Sequence, residues 1–393
     1  MIKLPLATTT WDNEEYKAIK RVINSNRFSM GKEVKEFEEE FANYFGTKYA
    51  VMVNSGSSAN LLAVAALLFS SKYNLKKGDE VIVPAVSWAT TFFPLQQYGL
   101  KIRFVDIDLD TLNIDLDKVE KAVTKNTKAI FAVNLLGNSI EYDRLEEIVN
   151  KYNLILIEDN CESMGAKFKG KFTGTFGIMG TFSTFFSHHI STMEGGMIVT
   201  DDKELRDILV CLRAHGWTRQ LSKTSEIYSK KDEEFYEAFN FILPGYNVRP
   251  LEFEGAVGKE QLKKINIIIK KRRENGKVFE KLFSKIDYIR IQKSIGESSY
   301  FGFAIIIKDN ALFSRGDLIN LFNRNGIECR PIVAGNFTKN KVIEYFDYSV
   351  YNSLDNSDYI HERGLFIGNH HYNIIDKLQR ICGLIQDLQN NGL

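Results

Sequence analysis

Between residues 47 and 200, short β-branched runs recur at regular intervals: YAVMVN, EVIVPAV, IRFVDID, AIFAVNLLG, LILIEDN, TFSTFF and GMIVTDD. The segments between them, SSANLLAVAALLF, DLDKVEKAVT and YDRLEEIVNKY, space their apolar residues three and four apart, the period of an amphipathic helix. Strands alternating with helices predict an α/β large domain with a mostly parallel seven-stranded sheet flanked by helices. After residue 250 the pattern changes. FEGAVGKEQLKKINIIIKKRRENGKVFEKLF reads as one long helix, followed by strand-like YFGFAIII and the helical SRGDLINLFNRNG and RICGLIQDLQNN. The expected division is therefore a large domain over residues 1–250, opening on a helical segment, and a linking helix with a smaller α+β domain over 251–393.

Composition narrows the function without naming it. The chain has 393 residues, 44% hydrophobic and 26% charged, with a formal net charge of +1. Charges of both signs are mixed along it, so no long-range field draws it to nucleic acid or membrane, and neither is expected as a partner. The start, MIKLPLATTTWDNEEYK, carries no signal-peptide core, and no run reaches the ~18 apolar residues of a membrane span, which makes the cytoplasm the expected location. Cys161, Cys211, Cys329 and Cys382 lie far apart with no CxxC pair. That spacing argues against zinc and against an iron-sulfur cluster held by grouped cysteines. Adjacent histidines rarely share a metal, so the HH pairs at 188 and 370 do not suggest one either.

Four segments fall at the ends of predicted strands, where open parallel sheets place ligands. In VNSGSSANLL, Gly56, Ser57 and Ser58 open a helix whose free N–H groups suit a phosphate, although plain capping explains the same residues. Trp88, just after the second run, either stacks on a flat ligand or fills the core. LILIEDNCESMGA ends a strand in Glu158 and Asp159, with Glu162 close behind. Asp159 either caps the next helix or faces a heterocyclic nitrogen, where a carboxylate keeps a pyridinium protonated. The fourth segment, GTFSTFFSHHISTMEGGMIVT, is the most informative.

That segment resembles the sugar-nucleotide aminotransferase and dehydratase family of the aspartate aminotransferase fold, whose members read S-F-x-x-x-K-N-x-T-x-x-E-G-G. Ser183 matches the phosphate-binding serine, and Glu194, Gly195 and Gly196 match E-G-G. The resemblance runs through most of the chain: the SGSS turn, the loop at Trp88, the E-D segment, GKFTGTFG, RAHGW at His215, and GYNVR with Asn247 and Arg249. It implies fold type I and pyridoxal or pyridoxamine phosphate, with Gly56, Ser57, Trp88, Asp159, Glu162, Ser183 and Asn247 as the cofactor-binding set. It also implies a homodimer with shared sites, in which Asn247 reaches the neighbouring subunit's cofactor phosphate.

Where the family has its Schiff-base lysine, six residues before the glutamate, this chain has His188. His189 replaces an asparagine, Met193 a glycine and Glu162 a glutamine. These departures resemble the 3-dehydratase branch. Lys167, Lys169 and Lys171 lie nearest in sequence, but in a turn-rich stretch where the family also carries lysine, so none replaces the missing one. Histidine forms no stable imine but moves protons near neutral pH. The branch thus implies a non-covalently held cofactor, His188 as the catalytic residue, and L-glutamate as amino donor with Arg249 or Arg330 receiving its carboxylate. The implied reaction removes the C3 hydroxyl of a nucleotide-linked 4-keto-6-deoxy sugar and releases ammonia, with GDP favoured over CDP or dTDP. Such a product serves 3,6-dideoxysugar formation of the colitose, O-antigen kind. His215 joins the substrate-side residues. The competing readings are a nucleotide-sugar aminotransferase and a non-catalytic nucleotide-sugar-binding relative.

Overall fold

Seven apolar runs become seven strands of one sheet: β1 Tyr49–Val53, β2 Glu80–Pro84, β3 Lys101–Val105, β4 Thr127–Val133, β5 Ile155–Asp159, β6 Met179–Ser183 and β7 Gly196–Thr200. The structure is a computed structural model and describes residues 2–391. Across the sheet the order is β1-β7-β6-β5-β4-β2-β3. Only the pairs made by β7 are antiparallel; β6, β5, β4, β2 and β3 run parallel. Strands β2, β6 and β7 are buried at every residue, which explains why they read as unbroken small or apolar runs rather than alternating ones. To the seven expected strands the fold adds an eighth, Tyr348–Val350, which arrives from the C-terminal part and pairs in parallel with β3. Three residues with two exposed side chains carry no apolar signature, and only their neighbour makes them a strand.

One face of the sheet is covered by the helix Gly56–Phe69, buried over most of its length, and by Lys203–Arg213. On the other, Lys32–Phe45 and the long helix Glu252–Phe283 close a cluster built on Phe37, Phe41, Phe45 and Phe182. The C-terminal sheet has the order Ile289–Ile291, Gly302–Ile307, Gly364–Gly368, Cys329–Arg330 and packs on the long helix and on Ile375–Asn391. Its core also takes Ile2 and Leu4 from the start of the chain. The two bodies meet at the turn after β4. Ser299 N–H donates to Gly137 O (2.9 Å), and Phe301 N–H donates to Leu136 O (3.0 Å). No helix among the described residues is long and apolar enough to cross a membrane.

Glu158 anchors the floor of the sheet. Fully buried, it accepts N–H donors from Phe176 (2.6 Å), Gly177 (2.6 Å) and Gly174 (2.7 Å), and the Tyr142 hydroxyl. Burial pushes its carboxyl above the usual range, while these donors pull it back. Glu158→Ala leaves three backbone donors without acceptors inside the protein, each costing ~1–3 kcal/mol. We expect a stability loss of about 3 kcal/mol or more in denaturant unfolding, against ~1 kcal/mol for Tyr142→Phe. Equal losses for the two variants contradict this assignment.

Candidate active site

The carboxyl ends of β1, β2, β5 and β6 converge on a cavity of about 350 Å³, closed from the other side by Phe301, Arg330 and Phe366 of the C-terminal part. Gly56, Ser57, Trp88, Asp159, Glu162, Ser183, His188 and Arg330 all line it. The approach of its walls depends on two glycines. A Cβ on Gly56 would sit 2.7 Å from Ser183 Cβ and 3.0 Å from Cys161 Sγ, and one on Gly196 would sit 2.2 Å from Ser55 O. Ser55 caps the helix by accepting the Ser58 N–H (3.1 Å), and Ser57 Oγ donates to Thr90 Oγ1 (3.0 Å), tying the helix start to the Trp88 loop. This helix start and Ser183 line the cavity side by side, a cradle suited to phosphate. Trp88 is 58% exposed, so the core alternative for it fails and its ring is available to stack.

Asp159 is nearly buried, and both of its oxygens are aimed. Oδ2 accepts from Asn60 Nδ2 (2.8 Å) and Thr91 Oγ1 (2.7 Å), and Oδ1 from Cys161 N–H (3.1 Å). Among the described residues no lysine, arginine or histidine pairs with it, so its negative charge is left for a cationic group in the cavity. Asn60 and Thr91 are functional positions that the motifs did not supply. The only signal for Asn60 is a lone amide inside the apolar helix SSANLLAVAALL, where Thr181 Oγ1 also donates to its Oδ1 (2.6 Å). Glu162 accepts the Leu136 N–H on one oxygen (3.0 Å). Burial, with a smaller contribution from the charge of Asp159, pushes its carboxyl up to about 7.

His188 stands at the end of the β6 loop, its N–H bonded to Phe185 O (2.9 Å) and its ring 5.2 Å from that of Phe301. Its Nδ1 is buried without a partner. Burial first, and then the Arg272 charge, lower the imidazole to about 4, so it is neutral at pH 7. The neighbouring His189 is fully buried and its Nε2 bonds Ser299 O (3.1 Å), which turns it away from ligand duty. Met193, at the family's glycine position, keeps a left-handed φ of 75°. Among the described residues no lysine lines the cavity. Lys169 pairs with Asp143, and Lys167 and Lys171 lie over the rings of Phe172 and Phe176, all on the 167–172 hairpin. No cluster of metal ligands occurs among the described residues.

Three of the anticipated residues lie elsewhere. Asn247 and Arg249 line a separate surface cleft with Trp217, where Arg249 Nε donates to Asn247 Oδ1 (3.0 Å). The ring of His215 lies 5.0 Å from that of Trp217. Within one chain these side chains do not join the cavity.

A phosphate cradle that a Cβ would fill, an exposed aromatic face, an unpaired aimed carboxylate and an orphaned imidazole nitrogen together fit pyridoxal phosphate. The architecture is that of fold type I pyridoxal-phosphate enzymes. Residues 9–386 match the DegT/DnrJ/EryC1/StrS aminotransferase family, and the chain belongs to it. A GDP-4-keto-6-deoxy-D-mannose 3-dehydratase of Yersinia pseudotuberculosis is 55% identical over 388 residues, 98% of this chain and 99% of that protein. Its counterpart in Escherichia coli O55:H7 is 57% identical over 380 residues, 96% and 98% of the two chains. A solved GDP-4-keto-6-deoxymannose-3-dehydratase with a trapped PLP-glutamate geminal diamine superposes with a TM-score of 0.96 at 55% identity, covering 98% of this chain and all of that one.

The depressed value of His188 has a consequence for stability. The unfolded imidazole, at its ordinary value, takes up a proton before the folded one does. Its contribution is complete above ~6.5 and is lost as pH falls from there toward 4. His188→Gln should narrow the drop in melting temperature between pH 7 and pH 5, measured by calorimetry. An unchanged drop means that the ring is already solvated.

Proposed function

We propose that this protein removes the C3 hydroxyl of a nucleotide-linked 4-keto-6-deoxy sugar, GDP-4-keto-6-deoxy-D-mannose, with L-glutamate as amino donor and ammonia as by-product. The observation that carries this reading is the His188 imidazole, its Nδ1 buried without a partner, in a cavity that no lysine among the described residues lines and that Asp159 shares. The two dehydratase relatives and the PLP-glutamate adduct of the solved one support the substrate, the cofactor and the donor.

When bound, pyridoxal phosphate supplies an electron sink and, after reaction with glutamate, a transferable amine. Gly56, Ser57 and Ser183 would hold its phosphate, Trp88 would stack on its ring, and Asp159 would keep the ring nitrogen protonated, with Glu162, tethered to Leu136, in the same cavity. His188, neutral at pH 7, takes a proton from carbon at the reacting centre and delivers it to the oxygen of the departing C3 hydroxyl. Among the described residues lining the cavity none carries a primary amine to recapture the cofactor covalently, which favours elimination over completed nitrogen transfer. Arg330 is exposed at the cavity mouth with no acidic partner among the described residues, well placed for the glutamate carboxylate. Asn247, Arg249 and His215 complete the neighbouring subunit's site in a homodimer, and the enzyme works in the cytoplasm on the way to a 3,6-dideoxysugar.

Incubation with pyridoxal phosphate, glutamate and GDP-4-keto-6-deoxy-D-mannose should give one ammonia per product, and a product mass lower by one oxygen than the substrate. Retention of nitrogen in the sugar would indicate an aminotransferase, and binding without turnover a non-catalytic relative. His188→Asn should slow elimination by about 10²-fold or more while the absorbance of bound cofactor persists. Arg330→Gln should raise the KM for glutamate about tenfold with little change for the sugar nucleotide; an unchanged KM moves the carboxylate site to Arg249.

A further inference from the structure

Arg272 projects from the long helix into the junction between the two bodies and is only 5% exposed. Its Nη1 donates to the carbonyls of Phe301 (3.1 Å) and Tyr300 (3.3 Å), and its Nε is buried with no partner. No carboxylate among the described residues balances its charge, and burial lowers the guanidinium to about 10. A buried cation without a counter-charge is expensive. Holding two carbonyls does not require one: Asn369 Nδ2 grips the Tyr300 carbonyl at 2.9 Å with no charge. The charge therefore needs a use beyond the clamp. His188, His189, His370 and His371 are each held below the usual histidine value, burial being the first cause and the Arg272 charge the second. The same guanidinium fixes the backbone of Phe301, whose ring lies against both His188 and His189.

We infer that Arg272 is a positioning residue for the reaction, its carbonyl clamp holding Phe301 against the His188 ring and its buried, uncompensated charge opposing a second positive charge on that side of the cavity. The inference rests on the reading of His188 as the proton carrier. The other ionisable groups around His188 are His189 and Glu194 on its own loop, Asp159 and Glu162 beyond β5, and Arg330 on the C-terminal sheet. The three carboxylates favour a protonated ring, so Arg272 and Arg330 are the charges that oppose them, and of these only Arg272 is buried.

Two substitutions separate charge from clamp. Arg272→Gln keeps a donor and loses the charge; Arg272→Lys keeps the charge, since an ammonium stays protonated in the range where histidine titrates, and loses the planar fork. Ring-labelled histidine in the full-length protein lets NMR follow His188, its signal identified by its loss in His188→Asn. We expect the native ring to titrate at least about one pH unit below 6.5, R272Q to raise it by about a unit, and R272K to leave it within about half a unit. The acid limb of single-turnover elimination should shift with it, a movement that a purely structural role does not produce. A native value at or above 6.5, or equal shifts in the two variants, overturns the inference; if R272Q does not fold, the native and R272K titrations decide it alone. Because the titration needs no turnover, a failed elimination assay leaves it standing as a separate result.

Discussion

The carboxylate of Asp159 is the point on which the site depends. Three elements that are distant in sequence each contribute a donor: Asn60 from the helix after β1, Thr91 from the helix after β2, and the Cys161 N–H just beyond β5. A single charged group thus fixes the angle at which two helices meet the sheet edge, and those two helix starts carry Ser57 and Trp88. A carboxylate held by neutral donors keeps its charge available to a ligand, whereas one neutralised by lysine or arginine does not. The phosphate cradle and the ring partner are therefore one structure, and the glycines at 56 and 196 are what allow its walls to close.

Against this fixed floor, His188 belongs to both bodies. Its backbone is part of the β6 to β7 loop, while its ring rests on Phe301, whose position is set by Leu136, by Arg272 and by the segment that His189 grips through Ser299. The turn at Leu135–Gly137 therefore does two things at once. It carries the N–H that tethers Glu162 and the carbonyls that tether residues 299–301. A histidine in such a place forms no stable imine as a lysine does but moves protons near neutral pH, the basis of the role proposed for it.

The division of the chain into bodies is also looser than a single boundary. Ile2 and Leu4 close the C-terminal core, and Tyr348–Val350 extends the large sheet beside β3. Such exchanged segments make the junction a packed interior in which a charge like that of Arg272 acts at close range and low dielectric, rather than a hinge open to water.

By itself the sequence determined the seven strands, three of the four helices between them and the loops that carry chemistry, because periodicity and strand ends are local properties of a few consecutive residues; the helix Ala89–Gln97 is legible there only as the Trp88 loop. Helix Tyr142–Tyr152 begins and ends where its apolar spacing does, and the resemblance to the family's motif, counted back from E-G-G, singled out His188. Tertiary structure alone decided that Trp88 faces the cavity, that Asn60 and Thr91 hold Asp159, that Phe301 covers His188, and that Arg272 lies unpaired behind it. It alone also put Asn247, Arg249 and His215 on a different surface of the chain. Each of these is a relation between elements far apart in sequence, set by which faces pack together and how closely. No pattern within a single segment encodes that.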